Sequence, residues 1–149
     1  MRRRLLLVLI LFSITGCADC ADAISPSGVD MAAEFQALRA VQGHLGANWN
    51  DDVDEWMGRK HQLMVQLGSL LGTGEYDRAQ IIQLLAPPDL IARAGDEFFE
   101  LINNLPEFEK PNTGPYEFLI YHWREEHDVL YSTSQGDTVL NSGWWYAGE

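Results

Sequence analysis

The sequence predicts an α+β domain, with N-terminal amphipathic helices packed on a C-terminal three-stranded antiparallel β-meander. Three observations predict it. Apolar residues recur at helical spacing between Asp30 and Leu85. The pattern then changes to strand-length runs of aromatic and β-branched residues from Tyr116 to Tyr146. Between these halves, Tyr76 to Asp89 is a short, fully punctuated helix ending in Leu84-Leu85-Ala86-Pro87-Pro88-Asp89.

The chain opens with Arg2-Arg3-Arg4 and an apolar run from Leu5 to Phe12, too short for a spanning helix of about 20 residues. This is the pattern of a signal peptide. Ile14-Thr15-Gly16-Cys17 resembles a bacterial lipobox, in which Cys17 takes a diacylglyceryl group and becomes the first mature residue. Ala21-Asp22-Ala23 resembles an ordinary small-x-small cleavage site that would release a soluble secreted chain. The lipobox is the better fit, because the apolar run stops immediately before it. On this reading residues 1–16 are the leader, 17–28 a flexible tether, and 29–149 one domain with a packed insertion at about 90–114.

Loss of the leader removes three arginines and no acid, so the mature chain is still more negative than the −12 of the whole sequence. Such a chain is repelled by nucleic acid and by anionic lipid headgroups. A membrane location therefore depends on the acyl chains at Cys17. The two cysteines, Cys17 and Cys20, both precede the domain and leave it without an internal disulfide.

Met31, Phe35, Leu38 and Leu45 set the stripe of a first helix from Asp30 to about Leu45, and Gly43, Gly46, Asn48 and Asn50 interrupt it. Asp51 or Asp52 caps a second helix, read as continuous to Leu71. Its stripe runs through Val53, Trp56, Met57, Lys60, Leu63, Met64, Leu67, Leu70 and Leu71, and Lys60 is its one polar member. Asn48, Asn50, Asp52 and Asp54 alternate like calcium ligands. The sixth and twelfth positions of that loop are Val53 and Arg59, where an EF-hand needs Gly and Glu, so the acids are read as first-turn dipole partners. In the third helix Asp77 caps, Gln80 reaches back to it, Tyr76 staples onto Ile81, and Pro87 forces a stop. Asp96 to Ile102 is a short helix within the insertion, laying Phe98, Leu101 and Ile102 on the core.

Tyr116–Trp123, Asp128–Thr133 and Thr138–Tyr146 are the strands, joined by Arg124 to His127 and by Ser134 to Asp137. One sheet face covers the helices; the other is aromatic. Tyr121, Trp123, Trp144 and Tyr146 are the expected partner-binding residues, through that second face or the strand edge, unless the insertion covers it. His122 and His127 could meet across a hairpin as two metal ligands, without a third or fourth. Ser132, Thr133, Ser134 and Ser142 lack the setting of a nucleophile, and Gly72-Thr73-Gly74 lacks the rest of a phosphate loop. No catalytic residue, cofactor, metal site or small-molecule substrate is predicted.

The order of a leader cysteine, an amphipathic helix, a helix closing in Leu-Leu-small-Pro-Pro-Asp and a meander resembles the BamE-like (SmpA/OmlA) lipoproteins, which share their fold with the repeats of β-lactamase inhibitor protein. The likeness runs from about Val53 to Glu149, less the insertion. It includes the hairpin residues Tyr121-His122-Trp123-Arg124 and His127-Asp128-Val129-Leu130-Tyr131, and the end Ser142-Gly143-Trp144-Trp145-Tyr146-Ala147-Gly148-Glu149. It implies a non-catalytic scaffold or accessory lipoprotein of the bacterial envelope with an unidentified envelope protein as partner. The alternative is a secreted binding or metal-binding domain using the His122 to His127 hairpin. The family pattern usually has Gly where this chain has Ala86; a left-handed residue there would cost Ala about 1 kcal/mol relative to Gly. Palmitate labelling tests the leader: label is expected on the wild type and not on Cys17→Ser, and a labelled mutant or an unlabelled wild type contradicts it.

Overall fold

The computed structural model describes residues 26–43, 48–106, 108–112, 114–124 and 128–146. The leader, Cys17, Cys20, Leu45 and His127 lie outside them. Five helices and four strands follow in the order α1 Pro26–Arg39, α2 Asp51–Asp54, α3 Arg59–Leu71, α4 Arg78–Leu85, β1 Leu90–Ala92, α5 Glu97–Asn103, β2 Glu117–His122, β3 Val129–Gln135 and β4 Thr138–Trp145. The fold is α+β.

The sheet is antiparallel in the order β1-β2-β3-β4, so the expectation of three strands is corrected to four. The added strand is the start of the insertion: Leu90, Ile91 and Ala92 pair with Ile120, Leu119 and Phe118. Three residues after a Pro-Pro are too few to show a period of two, which is why the sequence pattern hides them. β3 and β4 are joined by the two-residue turn Gly136-Asp137, where Gly136 has φ +62°.

Two cores flank the sheet. Phe35 of α1, Leu63, Met64, Leu67 and Leu71 of α3, and Ile81 and Leu85 of α4 pack with Leu119, Tyr121, Trp123, Leu130 and Val139. Phe99 and Ile102 of α5, with Phe108, pack with Phe118, Ile120, Val129 and Tyr131 on the opposite face. The insertion is thus a second cover. On β4 both Val139 and Trp144 belong to the first core, although they differ in parity. The register shift opposite Thr133 and Ser134 leaves Leu140 without a partner, and one extra residue turns the later side chains over.

The predicted second helix is broken. α2 ends at Asp54, Met57 has φ +65°, and α3 restarts from Gly58. A Cβ on Gly58 would lie 2.4 Å from the Asp51 carbonyl oxygen and 2.7 Å from that of Glu55. Only glycine permits this close crossing of the chain. The break turns Trp56 and Met57 outward, off the stripe on which helical spacing places them.

α4 has the predicted capping box: Gln80 N donates to Asp77 Oδ1 at 2.8 Å, and Asp77 N donates to Gln80 Oε1 at 2.7 Å. Its free C-terminal carbonyls are taken up by α1. Gln36 donates to Leu84 O, and Arg39 donates to Leu85 O at 2.7 Å and Pro87 O at 3.0 Å. Arg39 also pairs with Asp89 at 2.6 Å, whose other oxygen accepts from His122 N at 2.8 Å. One guanidinium and one carboxylate therefore tie α1, the end of α4 and β2 together.

Ala86 sits at this junction with φ 65° and ψ 176°, a region reserved for glycine. Such strain costs about 1–3 kcal/mol, and part of the relief is offset by the greater unfolded-state entropy of glycine. Ala86→Gly is expected to raise stability by about 1 kcal/mol in denaturant titration; a loss of stability contradicts a strained backbone at this position.

Candidate functional site

The C-terminal end of β2 and the α2–α3 break converge on one corner, and Trp123 is its centre. The break brings Val53 O within 2.6 Å of the Trp123 indole, which donates to it. Trp123 N donates to Asp128 O at 2.8 Å, and the Trp123 carbonyl accepts from the Lys60 ammonium. Arg124 lies over the Trp123 ring, 4.3 Å from its centroid, while donating to Asp54 O at 2.9 Å.

On one side of Trp123 is an aromatic box. The His61 ring lies 4.9 Å from Trp123, 4.9 Å from Trp144 and 4.4 Å from Trp56. Trp56 in turn meets the edge of Tyr146 at 5.0 Å. His61 is 3% exposed, and neither ring nitrogen has a hydrogen-bond partner among the described residues. Its outer wall is accessible: Trp56 is 47% exposed and Tyr146 46%, with Met57 at 56% beside Trp56 in the chain. Trp123 also lines a cavity of about 380 Å³ together with Val41, Gln42, Val53, Asp54, Lys60 and Arg124.

These positions revise the expected partner-binding set. Tyr121 and Trp123 are buried in the helix-covered core, so neither is available to a partner. They do share one face of β2, as alternation predicts, but it is the face under the helices, and the insertion covers the opposite one. Tyr121 instead holds the α4 junction: its hydroxyl donates to Ala86 O at 3.3 Å, Arg39 stacks on its ring at 5.2 Å, and burial pushes the phenol up. Trp144 is half-buried within the box, and Tyr146 is exposed at its rim. Sequence reasoning misses Trp56 and Met57 as surface residues because they continue an apolar stripe. Their one sequence signal is Gly58.

His122 packs edge-on against Phe98 at 5.6 Å, and its buried Nδ1 has no hydrogen-bond partner among the described residues. Among the described residues no three histidine, cysteine or acidic side chains converge as a metal site. The calcium-like oxygens are used locally: Asn50 Oδ1 accepts from Asp52 N at 3.0 Å, and Asp54 Oδ2 accepts from Asn50 N at 2.7 Å. Ser132 and Ser142 share a hydrogen bond of 2.7 Å between their hydroxyls. No helix among the described residues is long and apolar enough to cross a membrane. Compared with family models, curated proteins and solved structures, the chain matches none of them.

Burial lowers the pKa of His61 below its ordinary 6.5; Asp128 acts to raise it and Arg124 to lower it further. The unfolded chain then binds the proton more readily than the folded one, so stability falls as the pH drops through about 6.5. His61→Phe keeps a ring in the box and removes two unpartnered polar atoms. It is expected to stabilise the fold by about 1 kcal/mol near neutral pH and to flatten the decline toward pH 5, measured as unfolding free energy against pH. An unchanged acid slope contradicts this role.

Proposed function

We propose that the chain is a non-catalytic, lipid-anchored accessory module of the bacterial envelope that holds an extended segment of a partner protein along β4 and its aromatic rim. One observation carries the reading. β4, Thr138–Trp145, is an edge strand of eight residues without proline or a charged side chain, two of the devices that keep an edge from pairing; its bulge at Leu140 leaves Asn141 to Trp145 in regular register with β3. Among the described residues the β-bridging on its outer side is confined to the isolated bridge between Thr138 and Asp77, while Gly68 and Gly72 of α3 pack close to the backbone of Ser142 and Gly143.

The rim gives this edge a place for side chains. Trp56 and Tyr146 stand beside the end of β4, and Met57 is held outward by a left-handed backbone that a methionine adopts only at a cost in strain. Tryptophan, tyrosine and methionine at an accessible patch are what protein interfaces enrich. A strand laid on β4 would gain main-chain hydrogen bonds from the edge and specificity from the rim. The anchor reading rests on Cys17 and its lipobox, and the scaffold reading on the sequence likeness to BamE-like lipoproteins. That likeness favours a scaffold in envelope assembly.

Photo-crosslinking residues placed singly at Met57, Tyr146 and, as a control on α4, Gln83 test it in cells. The same protein adduct is expected at 57 and 146, absent at 83, and lost from 146 when Trp56→Ala is added. Equal capture at all three positions, or none, contradicts the proposed surface.

A further inference from the structure

The cavity beside Trp123 is lined by a buried cation, Lys60, that makes a single hydrogen bond among the described residues. Lys60 is 5% exposed and sits in the first turn of α3, where an acid would complement the helix dipole and where this helix has none. An ammonium has three donors to satisfy. Among the described residues only the Trp123 carbonyl accepts from it, although buried donors are nearly always matched. The same ammonium lines the cavity of about 380 Å³, within the range of small-molecule sites.

The walls narrow the chemistry. Val41, Val53 and the Trp123 indole are apolar, and Arg124, over the indole, is paired with Asp128 at 3.5 Å. Asp54, 1% exposed, lines the same space and disfavours a second negative charge in the ligand. Water could fill the volume, but an apolar wall beside a buried ammonium suits a molecule with one anionic end and one apolar body.

We propose that this cavity binds a small organic monocarboxylate, its carboxylate accepting from Lys60 and its apolar part lying against Trp123, Val41 and Val53. Its lining has only Trp123 in common with the aromatic box beside β4. It is invisible to sequence reasoning except as the single polar position in the stripe of the second helix.

The protein carries its own control, since its two lysines are Lys60 and Lys110, and Lys110 is exposed. Burial pushes Lys60 down to about 8; Asp89 and Asp54 act to raise it, and Arg39 to lower it. With the full chain labelled at lysine Cε, carbon NMR titrations with benzoate, inorganic phosphate and benzylamine test the site. Benzoate is expected to move the Lys60 signal saturably and to raise its midpoint, leaving Lys110 in place, because a bound carboxylate favours the ammonium. Affinity falls as the pH rises through the Lys60 midpoint, and Lys60→Gln weakens binding at least about tenfold, read by tryptophan fluorescence. Phosphate binds more weakly and benzylamine not at all. No saturable change at Lys60 in the wild type overturns the proposal, as does tighter binding of phosphate than of benzoate, or equal binding by a folded Lys60→Gln chain.

Discussion

Trp123, through its side chain and its backbone, holds this end of the molecule together. Its indole takes the Val53 carbonyl, its amide reaches Asp128 across the β2–β3 connection, and its carbonyl receives Lys60. Two elements distant in sequence, α2 and α3, and the nearby β2–β3 connection are therefore fixed to one residue. Each bond satisfies a group that would cost about 1–3 kcal/mol if buried alone. The α2–α3 break follows from this geometry. A continuous helix from Asp51 would keep the Val53 carbonyl in its own ladder, and the turn at Met57 and Gly58 frees it to meet the indole.

The break also connects fold to function. By interrupting an apolar stripe it leaves the buried members, Leu63 to Leu71, to the core and turns Trp56 and Met57 to solvent beside β4. At the opposite end, Arg39 and Asp89 perform the corresponding task, closing α4 onto α1 and β2 around the strained Ala86. The sheet between these ends is covered on both faces. β1 and β4 are its edges, and the aromatic rim beside β4 is built on the box that Trp123 anchors.

Where local rules act alone, the structure is legible in the sequence. The Asp77 and Gln80 capping box, the stop at Pro87, α5 after Asp96 and the β3–β4 turn are decided within a few residues. Tertiary decisions are not legible. β1 is three residues long and acquires its identity by pairing with β2. Alternation along β2 separates Phe118 and Ile120 from Leu119 and Tyr121, but cannot say which set lies under the helices. The irregularity at Leu140 reverses parity within β4, so both Val139 and Trp144 turn to the same core. Of the candidate residues, Tyr146 keeps an exposed position, Tyr121 and Trp123 are interior, and Lys60 carries the only trace of the cavity.

Hydrogen exchange of the Trp123 indole is the sharpest test of this anchoring. If the residue ties α2, α3 and the β2–β3 connection into the core, its Nε1 proton exchanges only by global unfolding, as slowly as the amides of β2 and β3. Exchange orders of magnitude faster than those amides, at the rate of a locally opening loop, would contradict it.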